Sequence, residues 1–105
     1  QCLRGAVWDA IVDLRRESPT YLRWEGFELT AGNHRQLFVP AGFAHGFLAL
    51  DDEVIVSYKN SVPYDPALEG AISWRNARVG IAWPLGGADP HLSAKDAAIP
   101  ADYLP

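Results

Sequence analysis

The sequence has little cysteine, no long apolar run and no basic run, and each absence excludes a class of protein. Its one cysteine, Cys2, cannot form a disulfide within the chain. This fits a reducing compartment such as the cytoplasm, and a small buried apolar role for the residue. No apolar segment approaches the roughly 18 residues of a membrane-spanning helix, so we expect no membrane partner. The chain has nine Lys and Arg and 13 Asp and Glu, which gives a net charge of −4. This negative charge argues against nucleic-acid binding.

The beginning of the sequence lacks an initiator methionine and the layout of a signal peptide. Its first ten residues, QCLRGAVWDA, read as the interior of a strand. A length of 105 residues fits one domain, over residues 1–105. We expect this domain to be the C-terminal majority of a longer one whose N-terminal part is missing.

The hydrophobic pattern consists of short alternating segments separated by turn residues. In the first segment one face is apolar and the other mixes aliphatics with carboxylates, so both faces are expected to be at least partly covered. A turn at 17–20 follows it, and Ser93 to Asp96 has the S-x-x-D form of a short helix start. The predicted strands are 2–14, 21–29, 35–39, 43–50, 53–59, 71–74 and 80–83. This pattern predicts an all-β antiparallel sandwich or jelly roll.

A proline–glycine corner followed by a histidine is the most informative motif. Pro40, Gly42 and His45 match P-x-G-x-x-H, the second motif of cupin barrels, whose histidine can point into the barrel lumen. The alternative is a core histidine whose imidazole donates a hydrogen bond to a backbone carbonyl. A metal cupin needs two more histidines and a carboxylate, but His34 and His91 fall in predicted turns. We therefore expect no metal.

Five blocks in a fixed order and spacing carry a family resemblance. They are RQLFVPAGFAHGF, VSYKN, YDPALEGAISW, GIAWP and LSAKDAAIP, and the preceding segment CLRGAVWDAIVDLRRESPTYLRWEGFEL fits with them. With these blocks the chain resembles the dTDP-4-dehydrorhamnose 3,5-epimerases over essentially all of its 105 residues. Five linked blocks in register are far more specific than any one block.

The resemblance implies a cupin-type jelly-roll enzyme without metal or cofactor, usually a homodimer. Such an enzyme epimerises C3, C5 or both in a dTDP-4-keto-6-deoxyhexose, on the route to dTDP-L-rhamnose or a related deoxysugar. The C4 ketone acidifies the neighbouring C–H bonds, so a base can remove a proton and an acid can return one on the opposite face. Donors near the ketone oxygen stabilise the enolate charge.

Three residues match the centre of the family's active site. Tyr58 matches the general-acid tyrosine, although spacing alone also fits an aromatic core residue. His45 matches the histidine that contacts the substrate near its reacting sugar. Asp96 matches the carboxylate that pairs with the catalytic histidine, and an Asp three residues after Ser93 also fits a helix cap. The resemblance implies that Tyr58, His45 and Asp96 converge in one barrel cavity.

Four further residues are expected to bind substrate. Tyr64 matches the tyrosine that stacks on the thymine base, a role suited to an exposed loop aromatic. Glu69 and Lys95 match contacts to the nucleotide sugar, with the Lys95 ammonium against the diphosphate; solvated surface charges are the alternative. Asp9 lies on the mixed face of the first segment and is expected to face the lumen.

The sequence departs from the family pattern in two places. The family's base is a histidine in an R-G-L-H-x-Q block, and these 105 residues contain no such block. Pro63 stands where the family has the first tyrosine of a loop pair. We therefore expect the chain alone to be inactive, and a nucleotide-sugar-binding remnant without a base is the alternative function.

Overall fold

The computed structural model describes all residues from Gln1 to Pro105, and it is built mainly of antiparallel strands. The strands are β1 (Cys2–Arg4), β2 (Ala6–Asp13), β3 (Trp24–Thr30), β4 (Phe43–Ala49) and β5 (Ile55–Val56); a 3₁₀ turn spans Pro66–Leu68 and helix α1 spans Ala94–Ala97. The predicted all-β class with a short C-terminal helix is confirmed. Neither helical segment has the length or apolar character needed to cross a bilayer.

Strand β2 is the centre of the larger sheet, whose order is β3-β2-β4, and β1 pairs with β5 in a second sheet. The sequence predicts one strand through β1 and β2, but Gly5 interrupts it with a φ of 71°. A side chain there would bring its Cβ within 2.5 Å of the Glu53 carbonyl oxygen. Glycine therefore allows the chain to leave one sheet and enter the other.

Both faces of β2 are covered, as the alternation predicts. Its odd-numbered face carries Val7, which forms the buried core cluster with Cys2 and Leu29. Its even-numbered face carries Ala10 and Val12, which are also buried. The buried thiol of Cys2 agrees with the expected apolar role.

A tryptophan cluster covers the even-numbered face. The Trp8 indole contacts Trp24 and Trp83 edge to face, with ring centroids 5.9 and 5.3 Å apart. The indole nitrogen of Trp83 donates a 2.8 Å hydrogen bond to the Trp74 carbonyl. Trp8 lies directly over Gly26, where a Cβ would overlap the indole. Through these contacts, the segment that contains Trp74 and Trp83 packs against the sheet.

Three of the predicted strands do not form. Segments 35–39, 71–74 and 80–83 contain no strand. Leu37 nevertheless packs against the core cluster, Ser73 and Asn76 close a turn, and Gly80 has a φ of 68°. Apolar content alone does not make these segments strands, because a strand also needs a partner with free backbone groups.

The turn predicted at 17–20 forms, and the buried Asp13 carboxylate organises it. Asp13 accepts hydrogen bonds from the backbone and guanidinium of Arg15, and from the hydroxyls of Ser18 and Thr20 at 2.6 Å each. Its side chain is 2% exposed. The guanidinium of Arg15 is the main cause that holds the pKa of Asp13 well below its usual range.

We expect Gly26→Ala to destabilise the fold by about 1–3 kcal/mol, because the added methyl group overpacks the Trp8 contact. Urea unfolding followed by tryptophan fluorescence measures the change. Gly32→Ala is the matched control, since a Cβ there meets its nearest atom at 3.9 Å. Equal stability of the two variants would contradict the packing described for Trp8.

We expect Asp13→Asn to lower the free energy of unfolding at pH 7. We also expect the free energy of unfolding of this variant to fall less steeply than that of the wild type as the pH decreases. The folded-state pKa of Asp13 is lowered, so the unfolded chain binds more protons as the pH falls. The contribution of Asp13 is therefore complete above about pH 4 and is lost below that pH. Urea midpoints at pH 7 and pH 3 test this, with the exposed Asp89→Asn as control. An unchanged pH dependence in Asp13→Asn would refute it.

Candidate active site

The proline–glycine corner forms as predicted and places His45 on β4. The amide of Phe43 donates to the Pro40 carbonyl, and Gly42 has a φ of 88°, which favours glycine. A Cβ at Gly42 would also approach the Arg15 side chain to 2.6 Å. The corner therefore fixes where β4 begins, and with it which face of the sheet receives the imidazole.

The register of β2 and β4 brings Asp9 and His45 together. Asp9 is paired with Phe47 and Ile11 with His45, so these four side chains share one face. The distance from Asp9 Oδ1 to His45 Nδ1 is 3.6 Å, which is an ion-pair distance when the imidazole is protonated. The Asp9 carboxylate raises the pKa of His45, against the opposing effect of burial.

Asp9 is buried without full hydrogen bonding. Its side chain is 7% exposed, and Oδ1 has no hydrogen-bond partner. A buried polar atom left unbonded costs roughly 1–3 kcal/mol, more when it is charged. The fold therefore retains a costly group at this point, as is common where a site is arranged for a ligand.

Tyr58 completes this group, two residues after the end of β5. Its ring centroid lies 5.9 Å from that of His45 and 6.4 Å from that of Phe47. Burial and the negative charge of Asp9 raise the pKa of Tyr58, so the phenol stays neutral beside the imidazole. Phe47 was not among the predicted site residues, although its position two residues after His45 places it on the same face.

Lys95 and Glu69 form a second group. The Lys95 ammonium donates a 2.6 Å hydrogen bond to Glu69, and both side chains are partly exposed. This bond is the main cause that raises the pKa of Lys95, and the charges of Tyr64 and Asp96 contribute. The structure thus brings the predicted nucleotide-sugar contacts close to one another. Tyr64 is 71% exposed.

A cavity of about 640 Å³ connects the second group with β4. Its lining includes the consecutive residues 43–48, together with Glu69, Lys95 and Asp96. Successive strand side chains point to opposite faces, so a lining of consecutive residues indicates a cavity along the strand edge. That edge of β4 is unpaired, because β4 pairs with β2 alone. His45 lines this cavity, whereas Asp9 and Tyr58 do not.

The expected meeting of Tyr58, His45 and Asp96 is therefore only partly seen. Tyr58 and His45 are in contact, and no hydrogen bond or ion pair joins Asp96 to either. The Ser93 hydroxyl accepts from the Asp96 amide at 3.1 Å, which confirms the predicted cap. The Asp96 carboxylate makes no hydrogen bond with the protein, and Asp96 is among the residues that line the cavity.

Metal-ligand geometry is not present in the structure. No group of three or more His, Cys, Asp and Glu side chains lies close enough to hold a metal ion. His34 and His91 are exposed in irregular segments. Neither forms an ion pair with Asp9, which already faces the Nδ1 atom of His45.

Comparisons with known proteins agree on one family. The family model described as dTDP-4-dehydrorhamnose 3,5-epimerase matches residues 1–102. The chain is 48% identical to the dTDP-4-dehydrorhamnose 3,5-epimerase of Salmonella typhimurium over 100 residues, which is 95% of this chain and 54% of that protein. The corresponding protein of Methanothermobacter thermautotrophicus is also 48% identical, over 90% of this chain and 51% of its own length. The chain thus spans about half the length of these relatives.

Solved structures give the same result. An epimerase of Mycobacterium tuberculosis superposes with a TM-score of 0.92 at 42% identity, covering 95% of this chain and 50% of that one. The Bacillus anthracis epimerase, with TDP and PPi bound, gives 0.90 at 45% identity, covering 95% and 56%. A Legionella pneumophila epimerase in complex with dTDP-4-keto-L-rhamnose gives 0.82 at 37%, covering 94% and 52%. These likenesses confirm the expected cupin-type fold.

We expect the Tyr58 hydroxyl to titrate above the ordinary tyrosine pKa of about 10, because burial and the Asp9 charge both favour the neutral phenol. Carbon-13 NMR of labelled tyrosine side chains measures this, and the resonance absent from Tyr58→Phe identifies the residue. Tyr21→Phe, which removes a phenol elsewhere, should leave that resonance in place. Titration of Tyr58 below 10 would contradict the site geometry.

Proposed function

The chain belongs to the dTDP-4-dehydrorhamnose 3,5-epimerase family, and we propose that the protein containing it epimerises C3, C5 or both in a dTDP-4-keto-6-deoxyhexose. The observation that carries the proposal is the contact of Tyr58 with an imidazole that is itself paired with Asp9. This contact places a phenol with a raised pKa beside an imidazole whose protonated form the Asp9 carboxylate favours.

The proposed chemistry follows from these two side chains. Loss of a proton beside the C4 ketone leaves a negative charge on the ketone oxygen, and a protonated His45 stabilises that charge as it develops. Tyr58 remains protonated at neutral pH because its pKa is raised, so it can return a proton to the carbon.

The nucleotide is proposed to bind at the second group of residues. Tyr64 offers an exposed ring for stacking on the thymine base. The Lys95 ammonium is held by Glu69 at the cavity, where it can contact the diphosphate. Asp96 lines the same cavity and is proposed to pair with the catalytic base.

A base is the one group that these residues do not supply. His34 and His91 are exposed and take no part in the contact between His45 and Tyr58. The contact of His45 with Tyr58 therefore does not include the base that the proposed epimerisation needs. This observation favours a second candidate function, nucleotide-sugar binding without epimerisation.

The proposal also covers organisation and location. We propose that residues 1–105 form one domain, that the protein works as a homodimer, and that it acts in the cytoplasm without metal or cofactor. The unpaired edge of β4 supports pairing with further chain, because exposed edges offer unsatisfied backbone groups. The single thiol supports a reducing compartment.

We expect the complete gene product to incorporate solvent deuterium at C3, C5 or both of dTDP-4-keto-6-deoxyglucose. Tyr58→Phe should slow epimerisation by about 10²–10⁴-fold, because it removes the acid and keeps the ring. Proton NMR of the sugar in D₂O measures both quantities. Tyr103→Phe is the control, since Tyr103 lies outside the site.

Two results separate the candidate functions. Absence of deuterium at both carbons with wild-type protein would reject the epimerase proposal. Binding of dTDP in that case, measured by titration calorimetry, would favour the nucleotide-sugar-binding alternative. Loss of that binding in Lys95→Met would locate the nucleotide at the second group.

A further inference from the structure

Asp9 carries an energetic cost that the fold does not explain. Its carboxylate is more than nine-tenths buried, yet Oδ1 has no hydrogen-bond partner. Asp13 lies on the same face of β2 and accepts five hydrogen bonds. A carboxylate kept for stability would be bonded in the same way. The difference indicates that Asp9 has a role at the site.

The geometry identifies the group on which Asp9 acts. The nearest cationic atom to Oδ1 is Nδ1 of His45, at 3.6 Å. In an imidazole ring Nε2 lies on the side away from Nδ1, and Nε2 of His45 makes no hydrogen bond with the protein. The His45 side chain is 35% exposed, and its ring contacts Tyr58 edge to face. Nε2 is therefore available to a ligand.

We infer that Asp9 is a positioning residue: it orients the His45 ring so that Nε2–H donates a hydrogen bond to the ligand oxygen that gains negative charge. The inference rests on the proposed function, in which that oxygen is the ketone oxygen of the sugar. A carboxylate behind one ring nitrogen fixes both the orientation of a histidine and which nitrogen carries a proton.

The other charged groups on this face do not compete for this role. Glu25 lies opposite Ile11 on β3 and is exposed to solvent. Asp13 is bonded to Arg15. The charge of Asp9 also raises the pKa of Tyr58, so one carboxylate favours a protonated imidazole and a neutral phenol together.

Direct binding of a ligand hydroxyl to Asp9 is the competing explanation, and a double-mutant cycle separates the two. Asp9→Asn, His45→Gln and the double variant are prepared in the complete gene product. If Asp9 acts through His45, Asp9→Asn lowers kcat by about 10–100-fold with little change in KM, and has no further effect in the His45→Gln background. The same fold loss in both backgrounds would overturn the inference.

Nitrogen-15 NMR of the His45 ring gives a readout that does not depend on activity. In Asp9→Asn we expect the titration of His45 to move to lower pH, because the attractive carboxylate is gone. Asp52→Asn, in an exposed turn, is the matched control and should leave the His45 signals unchanged. Unchanged His45 signals in Asp9→Asn would overturn the inference.

The two measurements also distinguish failure of the inference from failure of the proposed function. If the wild-type protein exchanges no deuterium, the epimerase proposal fails and the NMR experiment alone decides the role of Asp9. If exchange occurs and the cycle is additive, the epimerase proposal stands and the positioning role is refuted. Circular dichroism of each variant verifies that the sheet is retained.

Discussion

The burial of negative charge in strand β2 is the constraint on which the rest of the structure depends. This strand is covered on both faces, and its odd-numbered face carries both Asp9 and Asp13. An uncompensated charge in such a place is expensive, so each carboxylate must find a partner within reach of the sheet. The partners of Asp13 belong to the turn that follows β2. The partner of Asp9 is His45, which belongs to the candidate site.

At the end of the strand, Asp13 is compensated by its own neighbours in sequence. Arg15, Ser18 and Thr20 all belong to the following turn, so the carboxylate and the turn stabilise one another. In the middle of the strand, Asp9 has only His45 of the adjacent strand, at ion-pair distance. Structural networks are normally complete, whereas incomplete ones concentrate where a protein binds or converts a ligand. The contrast supports a chemical role for Asp9.

His45 connects the two parts of the candidate site. On one side it contacts Tyr58, the proposed proton donor, and Asp9, the proposed positioning residue. On the other side it lines the cavity that also contains Lys95 and Glu69, the groups proposed to hold the nucleotide. A ligand that occupied this cavity would therefore lie beside His45. The position follows from the corner at Gly42, which fixes where β4 begins.

The sequence by itself determined the features that depend on neighbouring residues. Alternation predicted the covered faces of β2, proline and glycine predicted the corner before His45, and Ser93 predicted the helix cap. Tertiary structure alone decided which extended segments found partners, so residues 35–39, 71–74 and 80–83 form no strands. It also decided that Phe47 joins the site and that one oxygen of Asp9 stays unbonded. The physical reason is that periodicity and turn chemistry are local, whereas strand pairing and hydrogen-bond satisfaction depend on residues distant in sequence.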